Sequence, residues 1–139
     1  MKTPTLNYLA LVAFLTFGIS VSTAGAGNLP AEKQSLDWIG FQQFEEVSRV
    51  FVRTTDKVKY KIDSSRPKTI ILILENTYIG LKNNGRELPT QFFKSPIRKI
   101  STRSVEGPSP VTYVQIHLRR PASFQRVQKD NVVALDFAR

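Results

Sequence analysis

Basic side chains at every second position are the groups in this sequence best placed to do chemistry. Arg49, Arg53, Lys57, Lys59 and Lys61 alternate with apolar residues, placing five positive charges within 13 positions. Phe51 falls on the same side of that alternation as Arg49 and Arg53. Such a set binds anions. Arginine grips a carboxylate with two parallel N–H bonds, while lysine acts as a point charge. An aromatic ring between them can stack on a sugar or pack against a partner. Like charges this close repel, so a hairpin does not gather them for stability, and a polyanion would relieve the repulsion. The same pattern also fits a solvated strand face whose lysines guard an edge. Arg119, Arg120, Arg126 and Lys129 make a candidate second patch in the other half of the chain.

Covalent and metal chemistry lack their usual groups. The chain has one histidine, His117, and no cysteine, so a zinc site built on imidazoles or thiolates lacks its ligands. A Ser-His-Asp relay would need His117, which falls on the outward side of a predicted strand. The carboxylates are scattered, mostly at turns and strand ends, and no phosphate-cradling glycine loop is present. The expectation is a binding protein with no catalytic residue, metal or cofactor.

The elements that would position the basic residues are strands. Residues 48–54 and 57–62 alternate with period two, the signature of half-buried strands, and 54–56 between them reads as a hairpin turn. That hairpin would project all five cations from one face of one sheet. Residues 69–74 (TIILIL) are continuously apolar, which predicts a strand covered on both faces. Residues 75–96 form a long connection with a turn signal at 83–85 and a short helical turn around Phe92 and Phe93. Strands resume near Ile97, at 112–118, at Phe124 and Val127, and at Val133, Leu135 and Phe137. Trp38, the only tryptophan, follows Leu36 by two positions and is read as core rather than as a sugar platform.

The N-terminus predicts export. Met1-Lys2 is followed by an apolar run over 8–21 and then by small residues. Ser22/Ala24 and Ala24/Ala26 both suit signal-peptidase cleavage, and cleavage after Ala26 is favoured over Ala24. The run is shorter than the ~20 residues that span a bilayer, and no other stretch is apolar for long enough. The expected organisation is a signal peptide at 1–26, a flexible lead at 27–35 and one domain at 36–139. A net charge of +9 attracts polyanions. Export makes the anionic cell wall, rather than nucleic acid, the expected partner.

The two halves of the domain look alike. WIGF, SRVFVRT, KYKI and ILILE are set against IRKIST, TYVQIHL, SFQRV and VVALDF at an offset of roughly 61 to 64 residues. This predicts a pseudo-two-fold repeat packed as an all-β sandwich of two three-stranded sheets. The arrangement resembles the AMIN domain, the module found at the N-terminus of cell-wall amidases and in type IV pilus secretins. The residues carrying the resemblance are Trp38-Ile39-Gly40-Phe41, Ser48-Arg49-Val50-Phe51-Val52, Val58-Lys59-Tyr60-Lys61-Ile62 and 71–77. Ile97-Arg98-Lys99-Ile100, Val114 to Leu118 and 131–137 carry it in the second half. The resemblance implies a periplasmic, non-catalytic module that attaches to peptidoglycan. Such modules usually precede an amidase or secretin domain, so the alternative expectation is an adaptor that binds proteins of an envelope machine such as a pilus or secretion complex.

Overall fold

The computed structural model describes residues 32–139. The expected signal peptide and most of the lead lie outside these residues. Ten strands follow in order: β1 Gln34–Gln43, β2 Val47–Thr54, β3 Tyr60–Arg66, β4 Thr69–Leu74, β5 Thr77–Tyr78, β6 Leu88–Pro89, β7 Ile97–Val105, β8 Val111–Leu118, β9 Phe124–Lys129 and β10 Val132–Ala138. The period-two segments at 48–54 and 112–118 become strands, because β-branched and aromatic residues suit a pleated, half-buried surface; of the expected strand 57–62 only residues 60–62 do, at the start of β3. Gln34 and Ser35, expected in the lead, already belong to β1, where they pair in parallel with Thr77 and Tyr78.

The strands form two five-stranded sheets, ordered β5-β1-β2-β10-β9 and β3-β4-β8-β7-β6. The expected sheets had three strands. Each sheet draws two long strands from each half, because β10 joins β2 and β4 joins β8, and a two-residue strand, β5 or β6, adds the fifth. Alternation in a sequence reports which side a residue faces; it does not report which strand lies alongside.

The same distinction overturns the expected hairpin. β2 and β3 do not pair. Residues 55–59 carry the chain from one sheet to the other, and β3 pairs with β4. Val58, midway along this crossing, is buried in the core. The inner faces of both sheets supply one apolar cluster, including Leu36, Val50, Val52, Leu135 and Phe137 from the first and Leu72, Leu74, Ile100, Val114 and Ile116 from the second. Burying these side chains against one another is the main force holding the sheets together. Ile71 and Ile73 sit on the outer face of β4 and are only half-buried, so TIILIL is not covered on both sides as its composition suggested.

The order β1-β2-β10-β9 in the first sheet is matched by β7-β8-β4-β3 in the second. Registers match as well. Thr69 lies opposite His117 where Val132 lies opposite Arg53, and Leu74 opposite Thr112 where Phe137 lies opposite Ser48. β1 and β7 each carry a register shift near their start, at Leu36/Trp38 and Ile97/Lys99.

The long connection after β5 forms its helical turn earlier than expected, as a single 3-10 turn at Lys82–Gly85. Buried Asn84 fixes this turn to β1 by donating to the carbonyls of Leu36 at 2.8 Å and Asp37 at 3.0 Å. No helix among the described residues is long and apolar enough to cross a membrane.

Candidate functional site

Residues opposite one another in adjacent strands share a face, so the pairing fixes the outer surface of the first sheet as three rows. Trp38, Arg53, Val132 and Lys129 make one. Gly40, Phe51, Ala134 and Val127 make the next. Gln42, Arg49, Asp136 and Gln125 make the third. A shallow cavity of about 280 Å³ opens on this surface between Trp38, Gln42, Arg49, Phe51 and Arg53.

Local sequence explains each part. Trp38 is 54% exposed, not buried as expected. The bulge between Leu36 and Trp38 adds a residue to β1 and turns the tryptophan outward. Gly40 lies under the ring of Phe51: a Cβ there would stand 2.7 Å from Phe51 Cε1. A glycine within a strand often marks such a close approach. The ring can therefore lie flat on the sheet and form the floor of the cavity.

The cations on this face divide into a held one and open ones. Arg49 donates to both oxygens of Asp136, at 2.7 Å from Nε and 2.9 Å from Nη2, and its guanidinium lies 5.1 Å from the centre of the Phe44 ring. These hydrogen bonds hold the Asp136 carboxyl below the usual carboxylate range, with Coulomb attraction adding and burial opposing. They raise the Arg49 pKa in turn. Arg53 and Lys129 make no ion pair with any described residue. The surface thus offers two free cations beside two aromatic rings, framed by a fixed ion pair. It can hold an anion against a flat apolar or sugar surface.

The structure brings together only some of the basic residues singled out from sequence. Arg49, Phe51 and Arg53 share this face. Lys57 and Lys59 lie on the crossing between sheets. Lys61 pairs with Ile73 on the outer face of the second sheet and is 3.2 Å from Glu75. The five cations therefore do not share one face, and the repulsion expected between them is relieved by distance and by two acidic partners. Arg119 donates to the carbonyl of Gln91 and supports the loop that follows β6. Arg120 is exposed in the turn after β8. Arg126 lies opposite Leu135 and so points to the inner side at the rim of β9, away from Arg53. Of the second patch only Lys129 reaches the site. Trp38, Gly40 and Asp136 were missed. Gly40 had a signal, a glycine inside a strand pattern; the bulge that exposes Trp38 had none.

The corresponding surface of the second sheet is arranged differently. Ser101 Oγ lies 3.1 Å from His117 Nε2, and Arg103 lies 5.4 Å from the centre of the Tyr113 ring. Burial pushes the His117 pKa down, helped by Lys99 and Arg98 and opposed by Glu87. Among the described residues no carboxylate is hydrogen-bonded to His117, so the Ser101–His117 contact lacks the orienting acid of a nucleophilic relay.

No family model matches this chain, and a search of curated proteins finds no match to it.

Proposed function

We propose that this chain is an exported, non-catalytic module that attaches to peptidoglycan in the periplasm through the outer face of its first sheet. The observation carrying this reading is the row joining Trp38, Arg53 and Lys129 beside Phe51. Peptidoglycan offers sugar rings that stack on aromatic faces and stem-peptide carboxylates that pair with arginine and lysine. The Arg49–Asp136 pair keeps one edge of the site in place without consuming the free cations. The apolar leader supports an exported address, and the likeness to the AMIN domain points to the same ligand class.

We also propose that the fold is a pseudo-two-fold sandwich built from two copies of a four-strand unit, 34–74 and 97–138. The exchanged strand orders and the matching registers support this. On this reading the two outer faces began alike, and one of them was later specialised.

Co-sedimentation with purified sacculi tests the function. The protein is expected to pellet at low salt and to be released as salt rises, because exposed charge contacts are screened. A protein that stays in solution at low salt overturns the proposal.

A further inference from the structure

Apart from the proposed ligand face, the first sheet has an edge unlike the others. β1 pairs with β5 only at Gln34 and Ser35, and Asn84 ties down the carbonyls of Leu36 and Asp37. Beyond these, the backbone of residues 38–43 makes hydrogen bonds only toward β2 among the described residues. An unpaired row of N–H and C=O groups is a template for another strand, and proteins usually guard such rows with charge, bulges or short strands.

The remaining edges are guarded. β3 carries Lys61, Asp63 and Arg66 and has a register shift between the last two. β9 carries Arg126 and Lys129. β7 carries Arg98, Lys99 and Arg103 and is capped in part by β6. Residues 38–43 of β1 read WIGFQQ, with no charge. At the far end of this edge, Gln43 donates to the carbonyl of Lys94 at 2.8 Å. The same loop places Phe93 5.2 Å from Phe41 and leaves Phe92 83% exposed.

We infer that the β1 edge at residues 38–43 receives an extended, acidic–apolar segment of a partner protein as an added strand. Alternate side chains of such a strand fall on opposite faces. One set would lie beside Ile39 and Phe41, which face inward, and is matched by apolar residues. The other set would lie beside Trp38 and Gln42, one strand away from Arg53, which makes no ion pair with any described residue, and is matched by carboxylates. Charge also selects the occupant. Two copies of a chain carrying +9 repel, whereas an acidic segment is attracted. The main-chain bonds supply affinity and the alternating side chains supply selectivity. The main-chain bonds use the edge of β1 and do not depend on wall binding, although the carboxylate set would lie beside Trp38 of the outer face.

The test is amide hydrogen exchange of the purified protein with two capped hexapeptides, one alternating glutamate and valine, the other lysine and valine. Exchange of the Ile39 and Phe41 amides, which point away from β2, is expected to slow ~10-fold or more with the glutamate peptide, because new strand bonds protect them. The β3 and β9 edges should be unchanged, and the lysine peptide should have no effect. Three results overturn the inference. One is no added protection at Ile39 and Phe41 with the peptide at about millimolar concentration. Another is equal protection by both peptides or at the other edges. The third is protection of the Ile39 and Phe41 amides without peptide in a protein that runs as a dimer, which would make a second copy the occupant. Because either peptide is tested on the unaltered protein, no outcome can be attributed to misfolding.

Discussion

The outer faces of the two sheets occupy matching places in the fold and have opposite character. On the first, Gly40 lets the Phe51 ring lie flat, and Arg53 stands free beside Trp38. At the matching places on the second stand Ser101, Gln115, His117 and Lys99. There the polar groups bind one another: Ser101 meets His117 at 3.1 Å, and Arg103 covers Tyr113. Both faces rest on the same strand order and on a β-bulge in the same place. The shared scaffold therefore does not create the difference between the faces. A glycine and an aromatic ring open one face, and a hydroxyl and an imidazole close the other.

The largest effect should come from filling the floor of the site. Gly40→Val would drive the Phe51 ring off the sheet, since even a Cβ stands 2.7 Å from Cε1. Sacculus binding should fall ~10-fold or more, as when a central aromatic anchor is lost. Because the ring can swing toward solvent, the stability change should stay within about 1 kcal/mol. The matching Ser101→Val on the second sheet should leave binding unchanged. Equal losses from both variants would erase the distinction between the faces.

Charge reversal comes next. Arg53→Glu should weaken sacculus binding several-fold and flatten its salt dependence. Lys61→Glu should do neither, because Lys61 lies on the opposite sheet beside Glu75. Sedimentation across a salt series reads both. A strong effect of Lys61→Glu would return the site to the charge cluster suggested by sequence.

The smallest effects separate the faces by pH. Asp136 has a lowered carboxyl pKa because Arg49 is hydrogen-bonded to it. Its contribution to stability is fully present above the unfolded value of about 4 and is lost as pH falls through the lower folded value. Asp136→Asn should remove that acid-side dependence, at a cost of about 1 kcal/mol near neutral pH for a partly buried pair whose arginine stays open to solvent. His117 is also lowered, by burial first. Its neutral form is favoured in the fold, so stability is present above about 6.5 and is lost as pH falls through the folded value below that. His117→Gln should remove this second, higher step. Urea unfolding across pH distinguishes the two steps, and a single shared step would contradict the assignment.

Strand positions were legible because alternation over β2 and β8 is strict and Val50, Val52, Val114, Ile116 and Leu118 carry their buried faces, with Ser48, Thr54 and Thr112 at the ends. Pairing was not legible. The run from Arg49 to Lys61 reads as one hairpin, yet Val58 is a core residue on a crossing between sheets, and nothing in its type marks the change of sheet. The candidate site was half legible for the same kind of reason. Arg49, Phe51 and Arg53 follow from period two. Trp38 does not, because one inserted residue at a bulge reverses the side of everything that follows. Asp136 was visible only as a strand-end carboxylate, since its partner lies 87 residues away in sequence.

On the proposed reading a wall fragment sits on the face that carries Trp38. As the only tryptophan in the chain, Trp38 reports directly by its fluorescence. On adding soluble peptidoglycan fragments, its emission is expected to change, to saturate, and to recover as salt releases the ligand. Unchanged emission from a protein that nevertheless pellets with sacculi would place the binding site elsewhere and overturn the proposal.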